Sequence, residues 1–317
     1  ILINLGTPAT AQVGDVRRYL REFLSDPRVI DIAPLARWLL LNFVILPFRP
    51  SKSAAAYQSI WSEKGSPLLY HSQNLAKACQ KELGDKYVVR LGMRYGEPSI
   101  GQALTQLLEH RVERIVALPL FPQYSSAATG SAIEKLMQEA SKLWDIVPIT
   151  IMGDFYDHPG FIGSVAKITK THIDSFQPDY LLMSYHGLPE RHVLKSHRAQ
   201  ISECDLRGAC PLPGENNRYC YRAQCYATSE ALAEVLNLLP NDYSVSFQSR
   251  LGRTPWIKPY TDEILVQLAE RGIKRLSVVC PSFVADCLET LEEIAIRAKH
   301  DFLKAGGEDL QLITCVN

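Results

Sequence analysis

The feature that most constrains the fold of this 317-residue chain is a repeated alternation of short apolar runs with longer segments of helical periodicity. The runs are rich in valine, isoleucine and leucine and are almost continuously apolar, which is typical of parallel strands covered on both faces. The segments between them place apolar residues at the spacing of an amphipathic helix. The pattern predicts strands at residues 1–5, 87–91, 114–118, 146–151, 180–185, 243–248, 275–280 and 310–316.

Four predicted strands in each half indicate an α/β protein of two Rossmann-like domains, each a four-stranded parallel sheet flanked by helices. We predict an N-terminal domain at residues 1–155 and a C-terminal domain at 156–317. The chain is too long for one small core and short for three domains. Because ligands of such sheets bind beyond the carboxyl ends of the strands, those ends are the places to look for a site.

Charge and composition exclude several classes of function. Lys plus Arg and Asp plus Glu each total 34, so the basic surplus of a nucleic-acid binder is absent. The sequence contains no run of about 18 uncharged apolar residues, so it predicts no membrane-spanning helix. After the first strand stands Asn4-Leu5-Gly6-Thr7-Pro8 instead of a glycine-rich phosphate loop, which argues against a nucleotide cofactor. We predict a cytoplasmic protein.

One apolar stretch, residues 38–48 (WLLLNFVILPF), lies between Arg37 and Arg49. It has two interpretations. It is either a buried core helix or an exposed apolar lip that touches a greasy ligand or the surface of a membrane. The second interpretation would make the protein peripheral to the inner membrane.

The ends of the predicted strands in the second half carry the chemistry. His186 follows one strand in the turn Ser-Tyr-His-Gly-Leu-Pro, and Glu289 and Glu293 follow another at a spacing that shares one helix face. Trp256 lies in a proline-rich loop after a third strand. A solvated acidic face and simple packing of the tryptophan are the alternatives. Together the residues predict proton transfer or metal handling.

These motifs and others along the chain resemble the ferrochelatase family, whose members insert ferrous iron into a porphyrin to make haem. The matching pieces are residues 5–8 (LGTP), 23–30 (FLSDPRVI), 65–68 (GSPL), 93–95 (MRY), 120–125 (LFPQYS), 129–131 (TGS), the His186 turn, the loop 248–259 and the helix start at 286–293. The resemblance implies two Rossmann-like domains with the porphyrin in a cleft between them, which agrees with the strand count.

The resemblance also implies roles for individual residues. His186 and Glu289 match the family's active-site histidine and glutamate, as proton acceptors and as the site where the substrate Fe²⁺ binds. Glu293 continues the acidic line along the same helix as a further catalytic residue. Residues 35–48 match the lip. Arg297 stands where many members have a third acidic residue. The implied contacts with protoporphyrin IX are Arg49, Lys52, Tyr57, Ser66, Arg94, Tyr95, Tyr124 and Trp256.

Two other functions stay open. One is a related chelatase that acts on cobalt or on a coproporphyrin, and the other is a non-catalytic haem-binding protein with the same fold. The presence of both His186 and Glu289 argues against the non-catalytic alternative. The sequence does not give the oligomeric state.

Four of the eight cysteines fall within one insert, residues 204–225: Cys204, Cys210, Cys220 and Cys225. Their spacing differs from that of a zinc ribbon, and a [2Fe–2S] cluster tolerates irregular spacing. Some ferrochelatases carry such a cluster. We predict that the four thiols hold a [2Fe–2S] cofactor, with structural zinc and free or disulfide-bonded thiols as alternatives.

Overall fold

The structure, a computed structural model, describes residues 1–196, 204, 210–252 and 254–317. Within these ranges eight strands form two separate four-stranded sheets, and every strand pairing is parallel. The predicted α/β architecture is therefore confirmed. The strands are β1 (Leu2–Gly6), β2 (Leu91–Tyr95), β3 (Ile115–Pro119), β4 (Ile149–Ile151), β5 (Tyr180–His186), β6 (Tyr243–Gln248), β7 (Arg275–Val279) and β8 (Asp309–Leu312).

The two sheets share one topology. The first has the strand order β2-β1-β3-β4 and the second has the order β6-β5-β7-β8. In each sheet the strand that comes first in the chain lies inside and is flanked by the next two. The chain thus winds outward in both directions from β1 and from β5, which is the doubly wound pattern predicted for both halves.

Helices connect the strands and cover the sheets. The α-helices are α1 (Val13–Ser25), α2 (Pro34–Leu39), α3 (Leu46–Ile60), α4 (Pro67–Leu83), α5 (Ile100–Glu109), α6 (Ser131–Ala140), α7 (Pro159–Phe176), α8 (Glu190–Lys195), α9 (Tyr221–Leu236), α10 (Thr261–Glu270) and α11 (Lys299–Lys304). In the part of the chain that the structure describes, π-helical segments lie at Leu40–Ile45, Ser126–Gly130 and Glu289–Ala298.

Strand β5 shows why its sequence is almost continuously apolar. Leu181 and Met183 pack into one cluster with helices α7 and α9, while Leu182 packs into a second cluster with helices α10 and α11. Successive side chains of a strand point to opposite faces, so helices on both faces demand apolar residues at every position. The first sheet has an equivalent core that includes Ile3, Ile100 and Leu136.

Two compact units divide the chain. The first comprises Ile1–Phe121, Ser126–Gly153 and Asn317, and the second comprises Pro122–Ser125 and Asp154–Val316. Each unit contains one of the two sheets. The domain boundary between residues 155 and 156 stays a prediction.

Strand β2 differs from its prediction, since it spans Leu91–Tyr95 and not residues 87–91. The β-branched run before Leu91 carried the prediction, whereas Gly92 weakens the strand signal in the true segment. A Cβ atom at Gly92 would lie only 3.0 Å from the Cα atom of Ile100. The glycine therefore permits helix α5 to pack closely on the strand, which is a tertiary constraint.

The apolar stretch around residues 35–48, called the apolar lip below, exposes most of its large apolar side chains, whereas Leu41 and Leu46 are buried. Leu35 is 70% exposed, Phe43 63% and Phe48 77%. The lip runs from helix α2 through the π-helical segment Leu40–Ile45 into helix α3. The buried-helix interpretation is therefore wrong for these side chains. In the described ranges, no helix is long and apolar enough to cross a membrane.

Candidate active site

His186 is the last residue of strand β5, at the carboxyl edge of the second sheet. Its Nδ1 atom lies 2.6 Å from the backbone oxygen of Gly187. Because a carbonyl only accepts, Nδ1 carries the proton in this contact, and Nε2 of the neutral ring keeps its lone pair. The ring is half-buried, with the rings of Trp256 and Phe283 at centroid distances of 6.4 and 6.3 Å.

The backbone of His186 is also fixed. Its N–H group donates to the Ser282 hydroxyl at 3.2 Å, and its carbonyl accepts from the Tyr221 hydroxyl at 2.8 Å. Tyr221 begins helix α9 and is buried. Ser282 belongs to the segment after β7, so the histidine is held between two neighbouring elements. A site built on such rigid elements keeps its geometry during a reaction.

Gly187 allows Trp256 to approach the histidine turn. A Cβ atom at Gly187 would lie 2.7 Å from the backbone oxygen of Gln248 and 3.2 Å from Cε3 of Trp256. The indole Nε1 donates to the backbone oxygen of Leu251 at 2.9 Å, and the backbones of Pro189 and Trp256 form an isolated β-bridge. Trp256 is half-buried, and both its indole ring and its backbone are held by these contacts.

The acidic residues lie on the π-helical segment Glu289–Ala298, which follows strand β7. Gln248, at the end of β6, donates from Nε2 to the backbone oxygen of Glu289 at 2.8 Å. Glu293 accepts two hydrogen bonds from Ser249, and Glu292 pairs with Arg297 at 2.9 Å. Strands β5 and β7 are paired neighbours, so the histidine and the acidic segment lie at one edge of one sheet.

Gln248 and Ser249 are candidate site residues that the sequence marks only as part of the loop 248–259. Gln248 is buried and also accepts from the Ser184 hydroxyl at 2.8 Å. The position directly after a strand end is the signal that would have identified both residues.

In the first unit, Arg94 and Tyr95 belong to a buried network around Asp26. The Asp26 carboxylate accepts from Arg94 Nη2 at 2.6 Å, from the Tyr95 hydroxyl at 2.8 Å and from the Ser131 hydroxyl at 2.5 Å. Burial raises the pKa of Asp26, but the hydrogen bonds from Ser131, Arg28 and Tyr95 with the charge of Arg94 bring it below its usual value. Burial raises the pKa of Tyr95, whose side chain is fully enclosed.

Two other expected porphyrin contacts of the first unit are buried. Tyr57 is buried, with its ring against those of Tyr19 and Trp61. Ser66 is buried too, and its hydroxyl lies 2.8 Å from that of Thr7. These two side chains pack inside the first unit.

The two basic residues expected near the porphyrin lie at the end of the apolar lip. Lys52 is exposed, whereas Arg49 is half-buried, and burial lowers the pKa of its guanidinium. In the second unit, the ring of Tyr124 contacts that of Tyr219 in a tilted arrangement at a centroid distance of 4.9 Å, and the Tyr124 N–H group donates to Gln224 Oε1 at 2.6 Å.

The four cysteines of the insert share one neighbourhood, and none of them forms a disulfide with another described residue. Cys220 interacts electrostatically with Cys210 and Cys204, and Cys225 interacts with Cys220 and Cys210. Burial raises the pKa of Cys220 to about 11 and that of Cys225 well above its usual value. Residues 205–209 of the insert lie outside the described residues.

A buried cation accompanies these thiols. Arg222 is 2% exposed and donates from Nη1 to the Cys210 sulfur at 2.7 Å. Burial raises the pKa of Cys210, and the charge of Arg222 opposes that rise. Four cysteine thiols are the ligand set that holds iron–sulfur clusters, and the Arg222 cation lies next to one of them. In the arrangement described here, no three His, Cys, Asp or Glu side chains among the described residues are placed to hold a metal ion.

Comparison with solved structures defines the class of the fold. SirB from Bacillus subtilis with Fe³⁺ has a TM-score of 0.50 and 14% sequence identity, over 80% of this chain and 85% of that one. At this identity the likeness concerns the fold alone. The chain is thus an α/β protein with the fold of SirB. In this chain, one edge of the second sheet carries His186, Glu289 and Glu293.

Sequence comparison then gives the family. The profile described as Ferrochelatase matches residues 1–317. A ferrochelatase of Coxiella burnetii is 50% identical over 317 residues, covering 100% of this chain and 88% of that protein. One from Legionella pneumophila strain Philadelphia 1 is 55% identical over 320 residues, covering 100% of this chain and 93% of that protein. The chain belongs to the ferrochelatase family and is a metal chelatase, as the resemblance predicted.

Proposed function

We propose that this enzyme inserts ferrous iron into protoporphyrin IX to form protohaem. Family membership supports the reaction, and the geometry of His186 carries the assignment of the site. Its Nδ1 atom is tied to the Gly187 oxygen, so Nε2 is left to accept a proton or to bind iron. Glu289 at the same sheet edge supplies a carboxylate.

The reaction removes two pyrrole protons from the porphyrin and places Fe²⁺ among its four nitrogens. We assign His186 Nε2 as the first proton acceptor, because a neutral imidazole takes up protons near neutral pH. Glu289 is the second group at this edge that accepts a proton or binds the incoming ion, since Fe²⁺ takes both imidazole and carboxylate ligands. Gly187 and Ser282 keep the histidine in one orientation throughout.

The porphyrin itself must be bent before the metal enters, since a planar ring keeps its nitrogen lone pairs in the plane. Binding a distorted ring is complementarity to the transition state. Trp256, fixed by Leu251 and Pro189, is a stiff surface for this purpose. The proposed contacts with the macrocycle and its propionates are Arg49, Lys52, Tyr57, Ser66, Arg94, Tyr95, Tyr124 and Trp256.

We also propose that Cys204, Cys210, Cys220 and Cys225 hold a [2Fe–2S] cluster. The mutual interactions of the thiols and the Arg222 contact to Cys210 support this donor set. A bound cluster cross-links its segment and supplies one-electron redox chemistry. Because ligand thiols must lose their protons, binding would release protons from groups whose pKa values burial has raised. Analysis of anaerobically purified protein for about two irons and two labile sulfides per chain tests the proposal.

The exposed apolar lip supports a further assignment. Leu35, Phe43 and Phe48 form an apolar surface that suits a porphyrin of low polarity or the surface of a membrane. We propose a cytoplasmic enzyme that contacts the inner membrane through this lip.

The decisive experiment is an anaerobic metal-insertion assay with Fe²⁺ and protoporphyrin IX, run beside coproporphyrin and Co²⁺. Faster insertion of Fe²⁺ into protoporphyrin supports the proposal. A preference for coproporphyrin or for cobalt would assign the related chelatase instead. Haem binding without insertion of any metal would assign a non-catalytic haem-binding protein.

A further inference from the structure

Glu293 has both carboxylate oxygens engaged by one residue. The backbone N–H group of Ser249 donates to Oε1 at 2.8 Å, and the Ser249 hydroxyl donates to Oε2 at 2.6 Å. Arg297 Nη2 lies 3.9 Å from Oε2. Hydrogen bonds to an ionised acceptor are short and strong, so these contacts fix the carboxylate in position and orientation.

Ser249 makes these two bonds from an unusual backbone conformation. Its φ angle is +67°, in the left-handed region that non-glycine residues rarely occupy. Such a conformation costs free energy and persists only where surrounding contacts hold it. The two bonds to Glu293 are contacts of that kind.

The neighbouring residue holds the same helical segment one turn earlier. Gln248 Nε2 donates to the Glu289 backbone oxygen at 2.8 Å, and Gln248 Oε1 accepts from the Ser184 hydroxyl at 2.8 Å. The dipeptide Gln248-Ser249 therefore forms hydrogen bonds to the acidic segment at residues 289 and 293. At residue 289 the bond goes to the backbone oxygen, so neither residue of the dipeptide uses the Glu289 carboxylate in these bonds.

The loop that begins at Ser249 carries Trp256. The indole is fixed to Leu251, inside the same loop, and the loop backbone meets Pro189 beyond the His186 turn. Anchoring residue 249 on Glu293 therefore anchors the start of the segment that presents Trp256.

We infer that Ser249 is a positioning residue that attaches the Trp256 loop to Glu293. Glu293 then acts as a strut, meaning a fixed support for that loop. Glu293 then serves neither as a proton acceptor nor as an iron ligand, and Glu289 is the carboxylate that works with His186. This inference rests on the proposed function and revises the role expected for Glu293 from the acidic line.

The first test is Ser249→Ala, which removes the hydroxyl and leaves the N–H bond. We expect the KM for protoporphyrin to rise roughly tenfold, the size of a lost hydrogen bond to a charged group, with the KM for Fe²⁺ unchanged. Ser249→Gly should give the same kinetic loss while it relieves the backbone strain. Ser244→Ala is the matched control, because the Ser244 hydroxyl, on the preceding strand β6, has no hydrogen-bond partner among the described residues, and the variant should behave as the parent enzyme.

The second test is a double-mutant cycle with Glu293→Gln. If Glu293 is a strut, the double variant Ser249→Ala/Glu293→Gln loses no more porphyrin affinity than the worse single variant. Additive losses, or a raised KM for Fe²⁺ in Glu293→Gln, would overturn the inference.

Porphyrin dissociation constants from fluorescence quenching keep this test separate from the test of the reaction. A parent enzyme that inserts no metal contradicts the proposed function, but the cycle in dissociation constants still decides whether Ser249 and Glu293 act as one unit. Unchanged porphyrin affinity in both single variants contradicts the inference alone.

Discussion

At the scale of single residues, the proposed function depends on which polar atoms of a residue are hydrogen-bonded within the protein and which remain to contact a substrate. His186 has its Nδ1 atom on Gly187, its N–H group on Ser282 and its carbonyl on Tyr221. Only Nε2 stays open to a substrate. A ring held in this way cannot exchange the roles of its two nitrogens without losing a hydrogen bond.

We expect His186→Ala to abolish metal insertion while the fold and porphyrin binding persist. The ring is half-buried, so its loss should lower the free energy of unfolding by only about 1 kcal/mol. The measurements are steady-state insertion rates, porphyrin fluorescence quenching and thermal unfolding. Substantial turnover in a correctly folded variant would refute the assigned role.

Glu289→Gln should lower turnover much more than Glu292→Gln, at least about tenfold more. Glu292 is already paired with Arg297 at 2.9 Å, whereas the contact that Gln248 makes at residue 289 uses the backbone oxygen alone. Rates for the two variants at saturating porphyrin and Fe²⁺ decide the matter. Equal losses would mean that the acidic segment contributes only a general field.

Asp26→Asn should destabilise the protein by about 3–5 kcal/mol, because it removes the buried carboxylate that pairs with the half-buried Arg94 cation. The native pKa of Asp26 lies below its usual value. Its stabilisation is therefore fully present above the unfolded pKa of about 3.9 and is lost as the pH falls through the native value. Chemical denaturation between pH 7 and pH 3 should show the gap between parent and variant closing at acid pH. A gap that stays constant would contradict this account.

The sequence makes His186 and Glu289 candidates because both follow strand ends, which can be predicted from the hydrophobic pattern, and their roles stay predictions. Ser249 was missed because its importance depends on a φ angle and on a partner 44 residues later in the chain. Tyr95 stays a proposed porphyrin contact, and the hydrogen bond that its hydroxyl donates to Asp26 in the core could not be predicted from the sequence. Hydrogen-bond partners of this kind are set by tertiary packing, which one sequence does not reveal.

At the scale of elements, the acidic segment shows a limit of pattern reading. Residues 289–298 have helical periodicity, but the structure makes them a π-helix. A π-helix closes hydrogen bonds from residue i to residue i+5, and such segments are frequent at functional sites. The Glu289 backbone oxygen accepts a hydrogen bond from the Gln248 side chain, which lies outside the helix at the end of strand β6. The sequence pattern does not predict this contact, because it does not specify which elements pack beside that strand.

The cysteine insert allows a prediction at this scale. Replacing Cys225 with serine should abolish the iron and sulfide content and lower thermal stability, because all four ligands are needed and metal binding contributes to folding. Cys79→Ser is the matched control, since this half-buried thiol on helix α4 lies outside the insert. One zinc per chain without sulfide would assign a structural zinc site. The absence of any metal under anaerobic purification would leave ordinary thiols.

At the scale of the whole molecule, alternation of strand and helix was enough to predict two parallel four-stranded sheets. Strand β6 was predicted at its observed bounds, because Tyr243–Gln248 is a β-rich run that a turn follows. The order of strands within each sheet was not predictable from the pattern alone, since it is set by which helix faces which sheet.

The apolar lip should govern contact with membranes. Replacing Phe43 and Phe48 together by serine should weaken binding to anionic phospholipid vesicles by at least about tenfold, because both rings expose large apolar areas. Thermal stability should change little, since exposed side chains contribute little to it. Vesicle co-sedimentation of parent and variant measures the effect. Equal sedimentation would contradict the proposed membrane contact.

The parallel topology described above also sets how the chain must assemble during synthesis. Strand β1 has no hairpin partner, and Leu2 pairs with Leu91 and Leu118, the nearer of which is about 90 residues later. A ribosome needs roughly 5–18 s to cover that distance. During this time the apolar residues of strand β1 have no paired strand in the first sheet. Folding of the first unit is therefore slow and open to aggregation, and we expect its yield in cells to depend on chaperones that shield nascent chains.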